Sequence, residues 1–566
     1  MKRFILTIST LFVALTAAAQ VTREVEVTKE YMPKLPPARK LDMVTDRQDT
    51  VHIRPEIDYT ITPKSFASAL TTNKVRPATV TYWEFDKHYP FYIKAGAGYP
   101  LATELDAYAS TNRPDVGYLS GYINHRGRFS NIKDSYTLGG EEFSYDNNSR
   151  YMDNRFGFNG GKYIGRYTLD GDIYYQSNMF HRYVETIDEQ GNSNEVNYED
   201  FALALKFGDS FSDMSKVNFS VFAAANYYND KSVQLLDDNK LQQFNAFAGA
   251  SVGRNIATRT QLNINLKYNG YFGLQSLKGY SNNIILATAM VNFHTQKMLD
   301  IRAGLTYAFD KLTNVSEYKK NHIFPHLYLG ANLFDNGTFV PYLEIDGALE
   351  QNSYQQLQQQ NPYVAIMLSG AEGKPNTENY NFRLGFSGNV LKNRLSYRVY
   401  GDLEIVNDGL YWFSPKVAYF DAKAVDYNVW SINGELEYKP LSMLYFSVKA
   451  KGMVYNEREE VGIVNYRPSF EGEFNARYTH KKFAVGASAA VVGKTRWSVC
   501  AVDNLYTFEV VEYKPYVDLG LTFDWFVGKQ CTIYIEGRNL ANAKIYNWAL
   551  YKQYGIGALA GIKVQF

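Results

Sequence analysis

The sequence has few cysteines, no excess of charge of either sign and, beyond its first 20 residues, no long hydrophobic run. Cys500 and Cys531 are too few for a disulfide framework, and we interpret them as two unpaired thiols. With 59 basic and 58 acidic residues, the chain lacks the positive charge with which proteins neutralise nucleic-acid phosphates, so no nucleic-acid partner is expected. The lack of an apolar run of about 18 residues excludes a transmembrane helix past the N-terminus.

Catalytic motifs are also absent from the sequence. The eight histidines form no H-E-x-x-H zinc motif, and no G-x-S-x-G nucleophile motif occurs. His322 and His326 are four residues apart, but on a strand they would lie about 13 Å apart, too far to bind one metal ion. We therefore expect no enzyme activity, no cofactor and no metal site.

Aromatic residues are abundant, at 16% of the chain, and apolar and polar positions alternate along much of it. The stretch 554–566 shows this alternation clearly, with small or polar residues between most of its apolar ones. The apolar set is Tyr554, Ile556, Ala558, Ala560, Ile562, Val564 and Phe566. A period of two predicts a strand with one face in an apolar medium.

The same alternation recurs along the chain with no helical segments between. It predicts 22 strands, near 89–98, 102–111, 116–126, 151–163, 165–178, 197–207, 214–228, 240–253, 258–274, 280–295, 297–310, 321–332, 335–350, 377–392, 393–408, 425–439, 441–456, 467–480, 481–495, 511–526, 529–540 and 554–566. So many strands in succession favour a single closed sheet.

The connections between these strands alternate in length. Short turns such as 161–166 and 391–394 are separated by long connections, at 127–150, 179–196, 229–239, 311–320, 351–376, 409–424, 457–466, 496–510 and 541–553. Segregated loop lengths are typical of outer-membrane barrels. The predicted fold is all-β: a transmembrane antiparallel β-barrel of about 22 strands, with short periplasmic turns, long extracellular loops and both termini in the periplasm.

The region before the first strand differs from the rest of the chain. Residues 1–19 have a basic start, an apolar core and an alanine-rich end, which predicts a signal peptide. Residues 20–87 contain no glycine and several prolines, which predicts an extended periplasmic or luminal tail. The barrel is expected over residues 88–566.

Strand number, loop alternation and the closing strand resemble the barrel of TonB-dependent outer-membrane receptors of the type common in Bacteroidota. The resemblance implies location in the outer membrane of a Gram-negative bacterium, contact with its lipid, and transport or substrate binding. It also implies that Tyr554, Ile562, Val564 and Phe566 form the signal recognised by the barrel-assembly machinery. Residues 23–28, R-E-V-E-V-T, either resemble the box that such receptors present to TonB or belong to an ordinary charged tail.

The chain departs from that family before the first strand. In TonB-dependent receptors a globular plug domain fills the lumen, whereas here only the proline-containing residues 20–87 precede the barrel. We therefore expect a barrel without a plug. The tail, inward-folded loops or another protein would then close it, because an open lumen of this size would leak.

Two sets of side chains are candidate functional residues. The first is expected to face the lumen and comprises Arg398, Glu404, Lys449, Glu471, Glu473 and Arg477. These residues either form a cross-strand salt-bridge network or bind the tail or a polar cargo. The second set is aromatic and lies in predicted outer loops: Trp412, Phe413, Trp497 and Trp548. These side chains either contact a ligand or partner, or pack among the loops or in the outer aromatic girdle.

Two functions fit these observations. A transport protein would have a gated lumen, with conductance after removal of residues 20–87. A scaffold or assembly subunit would hold a larger outer-membrane complex together, with residues 20–87 reaching other outer-membrane or periplasmic proteins. The sequence does not decide between the two.

Overall fold

The computed structural model describes residues 89–183, 195–232, 241–294, 298–313, 319–334, 337–364, 373–416, 419–458, 462–501 and 504–566. The predicted signal peptide, 1–19, and the predicted tail, 20–87, lie outside the described residues.

Twenty-two strands form one closed antiparallel barrel, as the alternation predicted. They are β1 (Phe91–Tyr99), β2 (Ala102–Arg113), β3 (Gly117–Leu138), β4 (Glu141–Ile164), β5 (Tyr167–His181), β6 (Glu195–Asp209), β7 (Asn218–Asp230), β8 (Leu241–Ala257), β9 (Thr260–Gln275), β10 (Ser281–His294), β11 (Leu299–Thr313), β12 (Lys319–Ala331), β13 (Val340–Glu350), β14 (Thr377–Val390), β15 (Leu395–Lys416), β16 (Tyr419–Leu441), β17 (Leu444–Glu457), β18 (Phe470–Thr479), β19 (Phe483–Val492), β22 (Tyr516–Phe526), β23 (Cys531–Arg538) and β26 (Gly557–Gln565). Within the described ranges, two hairpins lie outside the barrel: β20 (Thr495–Ala501) with β21 (Asn504–Tyr513), and β24 (Tyr546–Trp548) with β25 (Tyr551–Lys552).

The barrel closes where β1 pairs with β26. Ile93 lies opposite Val564 in this ladder, and the Phe91 amide donates to the Phe566 carbonyl at 3.1 Å. The Phe91 and Phe566 rings stack with their centroids 5.2 Å apart. The predicted closing strand is thereby confirmed, although it begins at Gly557 rather than Tyr554.

The outer surface of the barrel is apolar because alternate side chains of each strand point away from the lumen. On β14, Phe382, Leu384 and Phe386 are exposed, whereas Arg383 between them makes ion pairs with Glu344 and Asp402 on the opposite face. Exposed apolar side chains on one face and paired charges on the other are what a lipid-spanning barrel requires.

The barrel wall is uneven in height. β3 and β4 have 22 and 24 residues, whereas β1 has 9. β2 pairs with β3 only as far as Arg128, so the rest of β3 rises above its neighbour. We call the side formed by β1, β2, β23 and β26 the low wall, and the two ends of the barrel the long-loop end and the short-turn end.

Because of this uneven height, two segments that were predicted to be loops are mostly strand. Residues 127–150 are mostly the upper parts of β3 and β4, with a turn at Gly139 and Gly140, both at positive φ. Residues 409–424 are mostly the upper parts of β15 and β16. Above the apolar belt neither face meets lipid, so these strand parts lose the apolar alternation that defined the others.

The connection 351–376 contains α1 (Tyr354–Gln360), whose N-cap Ser353 accepts from the Gln356 amide. The expectation of no helix between strands is wrong at this point. Among the described residues, no helix is long and apolar enough to cross a membrane.

Candidate functional site

The largest buried apolar cluster of the described residues lies at the long-loop end of the barrel. It joins side chains from strands on opposite sides of the ring and from both accessory hairpins: Tyr145 of β4, Tyr228 of β7, Trp412 of β15, Trp497 of β20 and Tyr551 of β25. Because its members come from opposite sides of the barrel, the cluster crosses the lumen. We call it the outer closure.

The helix α1 joins the outer closure by folding against the inner wall. The Tyr354 hydroxyl donates to the Asp230 carboxylate of β7 at 2.5 Å, and the Asn245 amide of β8 donates to Gln355 Oε1 at 2.5 Å. Asn245 faces the lumen, since its neighbour Phe244 is exposed on the outer surface. The loop between β13 and β14 therefore enters the barrel rather than extending away from it.

Aromatic stacking holds this loop to the β24–β25 hairpin across the lumen. The rings of Tyr363 and Tyr551 stack 3.8 Å apart, and Tyr183 packs 4.8 Å from Tyr551. On the β4 side, the Tyr145 hydroxyl donates to the Leu550 carbonyl at 3.0 Å. Burial raises the pKa of the Tyr363 and Tyr551 hydroxyls, so these rings remain neutral.

The predicted loop aromatics belong mostly to this packing. Trp412 is 1% and Trp497 2% exposed, so both side chains are buried. Phe413 is half-buried, with its ring 5.3 Å from that of Phe508, and Trp548 is half-buried, with its ring 5.7 Å from that of Phe420. The alternative of packing among the loops describes these four side chains.

The predicted lumen residues lie on the inner wall, where cross-strand charges face one another. Lys449 lies opposite Glu473 on β18, and Arg477 pairs with Asp524 at 3.3 Å. Glu471 lies opposite Lys451 on β17. This arrangement is that of a cross-strand network.

Two further lumen residues have other surroundings. The Arg398 guanidinium lies 5.2 Å from the centre of the Tyr342 ring. Glu404 lines a cavity of about 220 Å³ together with Lys451 and Arg467. Neither side chain lies in the outer closure.

The four predicted assembly-signal residues lie in two different parts of the structure. Ile562 and Phe566 are 47% and 51% exposed on the closing side of the barrel, and Val564 pairs with Ile93. Tyr554 precedes β26 and instead shares a hydrogen bond of 3.0 Å with the Ser149 hydroxyl. Tyr554 therefore contributes to the long-loop end rather than to the closing strand.

A cavity of about 340 Å³ lies between the outer closure and the inner face of the wall, beside the low wall. Strands β2, β3, β4, β5, β23 and β26 contribute one side, and the two loops carrying Tyr363 and Tyr554 contribute the other. We call it the rim cavity. Its charged lining consists of Glu104, Arg126, Arg128, Arg150 and Arg538, together with His181.

Sequence reasoning missed the rim cavity because most of its residues lie in segments assigned to loops. One signal was present: Arg126 and Arg128 are two residues apart, so on a continued strand they share a face. The involvement of Arg538 and Tyr363 depends on strand closure and loop folding, and no sequence pattern indicates it.

No protein-family model matches the sequence, and no curated protein matches it. Solved structures do share the fold. The FrpB iron transporter from Neisseria meningitidis has a TM-score of 0.66 at 10% identity, covering 85% of this chain and 83% of FrpB. The ferric enterobactin receptor PfeA from Pseudomonas aeruginosa has a TM-score of 0.63 at 11% identity, covering 84% of this chain and 80% of PfeA. The copper transporter OprC has a TM-score of 0.60 at 13% identity, covering 85% and 82%.

These neighbours are TonB-dependent receptors with 22-strand barrels, and at such identities the similarity establishes the fold. The closed barrel and the apolar outer surface, together with that fold, place the chain in the outer membrane. The long-loop end is accordingly the extracellular end, and the short-turn end faces the periplasm.

Proposed function

We propose that the protein is a plugless transport barrel that binds a solute at its extracellular end and admits it when the outer closure opens. The observation that carries this proposal is the folding of α1 into the lumen, where Tyr354 bonds Asp230 of the wall. A barrel of 22 strands has a wide interior, so it needs an internal closure to be compatible with a membrane barrier. Here the chain's own loops supply one.

The closure suits a gate because side-chain contacts, such as the stack of Tyr363 on Tyr551 and the hydrogen bond of Tyr354 to Asp230, hold its loops in place. Rings in contact exclude water and solutes, but hinged loops can carry them apart without breaking the barrel ladders. Below the closure the wall is polar and mixed in charge, as in the pairs of Arg383 with Glu344 and Asp402. A polar solute can therefore pass along it.

In this proposal, residues 20–87 reach a periplasmic or outer-membrane partner. The Bacteroidota-type relationship, the absence of a plug and the use of the barrel-assembly machinery through β26 belong to the same proposal. The barrel-assembly role rests on Ile562, Val564 and Phe566, which lie on or directly after the closing strand. We propose no enzymatic function, in keeping with the transporters and receptors that share the fold.

Conductance in planar bilayers tests the gate. Glu350 and Thr377 pair directly at the end of the β13–β14 ladder, so residues 351–376 can be replaced by an Asn-Gly turn without straining the barrel. We expect this variant to show stable conductance steps that the full chain lacks. Removal of residues 20–87 alone should leave conductance low, contrary to the expectation from the sequence, because the outer closure remains.

The matched control shortens a connection at the other end of the barrel. Val390 and Leu395 also pair directly, so residues 391–394 can be replaced by the same Asn-Gly turn at the short-turn end. This control should conduct no more than the full chain. Equal conductance of the loop variant and this control, with both barrels folded, would rule out α1 and its loop as the gate.

A scaffold function is the alternative, and the tall hairpins favour it. β3 with β4 and β15 with β16 rise above the low wall, and extended hairpins of this kind offer edges to a partner protein. Purification in mild detergent through a C-terminal tag would then recover partners in fixed ratio. Recovery of a monomer alone would exclude the scaffold.

A further inference from the structure

We infer that the rim cavity binds a small anionic ligand, one that carries carboxylate or phosphate groups on a compact ring-sized body. The inference rests on the proposed function, since it names the class of solute that would bind at the extracellular end. It follows from three features of the cavity: its charge, its rigid aromatic sides and its volume.

The described lining of the cavity carries a net positive charge. Four arginines line it against one carboxylate, Glu104. That carboxylate is already bonded to Lys94 at 2.8 Å, and both side chains are buried. Two of the arginines are paired: Arg538 with Glu536 at 2.9 Å, and Arg126 with Asp106 at 3.4 Å and Glu104 at 3.5 Å. Among the described residues, Arg128 and Arg150 form no ion pair, and their two positive charges remain for a ligand.

Arg128 is the arginine best placed for a ligand. Its guanidinium lies 5.8 Å from the centre of the Tyr554 ring, and among the described residues no carboxylate lies within ion-pair distance of it. By contrast, Arg126 and Arg538 of the same cavity pair with carboxylates, as Arg477 does elsewhere in the barrel. A half-buried guanidinium without a carboxylate can donate two parallel hydrogen bonds to a carboxylate or phosphate.

The aromatic sides of the cavity are fixed before any ligand arrives. Tyr151 packs 5.2 Å from Phe180, Tyr363 stacks on Tyr551 at 3.8 Å, and Ser149 holds the Tyr554 hydroxyl. Rings held in this way offer flat apolar faces on which a sugar or another ring can lie. Binding then costs little side-chain ordering.

The volume limits the size of the ligand. About 340 Å³ is at the lower end of small-molecule sites, which span roughly 300–1,000 Å³. A single sugar acid or sugar phosphate fits this volume, whereas a long oligomer does not. The cavity also contacts Tyr363, which belongs to the outer closure, so a bound ligand would touch the gate.

Titration calorimetry of the full chain in detergent micelles tests the inference, with glucuronate, glucose 6-phosphate and inorganic phosphate as the compounds added. Glucose serves as the neutral control. We expect at least one acidic sugar to bind ten-fold or more tightly than glucose. Preference for glucuronate identifies a carboxylate ligand, and preference for either phosphate compound identifies a phosphate ligand.

Substitution locates the binding. Arg128→Gln should weaken binding of the preferred compound at least ten-fold, and Arg128→Lys should weaken it less because the charge remains. Arg254→Gln, on an exposed arginine of β8, is the matched control and should bind like the unsubstituted chain. Equal binding of glucose and the acidic sugars, absence of binding, or an equal loss in both glutamine variants would overturn the inference.

Calorimetry also separates this inference from the proposed function. Binding that depends on Arg128, combined with no conductance in the variant lacking residues 351–376, would retain the anion site and reject the gate. Conductance in that variant, combined with no binding of any acidic compound, would retain the gate and reject the anion site.

Discussion

The two ends of the barrel interior are built from different chemistry. At the extracellular end, rings such as Trp412 and Tyr551 are packed out of contact with water. Towards the periplasm, charges face each other between strands, as with Arg477 and Asp524. Both arrangements line the same barrel, but only the aromatic cluster extends across the lumen.

The difference shows that, in this wide barrel, one set of contacts closes the lumen and another makes the wall rigid. Cross-strand ion pairs link neighbouring strands and leave the centre of the lumen open, and each contributes little because water screens it. An apolar cluster is stabilised in proportion to the apolar surface that it removes from water. It therefore forms only where loops bring apolar side chains into contact. Closure therefore comes from the loops, and the wall supplies the frame.

The largest expected effect comes from removing a ring of the outer closure. Trp412→Ala should destabilise the closure by about 3–5 kcal/mol, since a buried tryptophan leaves a large cavity. Limited proteolysis should then cut the extracellular loops much faster, while the barrel stays folded. Trp430→Ala is the control, because Trp430 is 57% exposed on the outer surface; equal cleavage of both variants would contradict a closure held by Trp412.

A smaller effect is expected from the contact between α1 and the wall. Tyr354→Phe removes the hydroxyl that donates to buried Asp230 and should cost about 1–3 kcal/mol. Hydrogen exchange should speed up in the loop 351–376 and stay unchanged in β17 and β18. A uniform change over the whole barrel would show that α1 is not a separate unit.

The smallest effect is expected in the charged half. Arg477→Gln should cost about 0.2–1 kcal/mol, because the pair is partly exposed and Asp524 keeps its contact with Lys563 at 2.7 Å. Thermal unfolding in detergent measures this loss, with Arg394→Gln in a short turn as control. A loss as large as that of Trp412→Ala would remove the distinction between the two ends.

The sequence was sufficient to predict the barrel because its strands contact lipid on one face and polar groups on the other. Apolar and polar residues therefore alternate along each strand. This alternation predicted all 22 barrel strands and their closure into one sheet. It failed where the strands leave the membrane: the upper part of β3, which carries Arg128, was assigned to the loop 127–150. It failed also at α1, seven residues long and rich in glutamine, which has no apolar stripe.

By itself, the sequence determined a closed transmembrane sheet and its orientation, because local alternation and loop length encode both. Only the tertiary structure decided what closes the lumen and where a ligand could bind. Tyr183, Tyr363 and Tyr551 are distant in the chain and meet through the curvature of the barrel and the inward fold of two loops. Contacts between such distant segments depend on geometry that no local pattern contains.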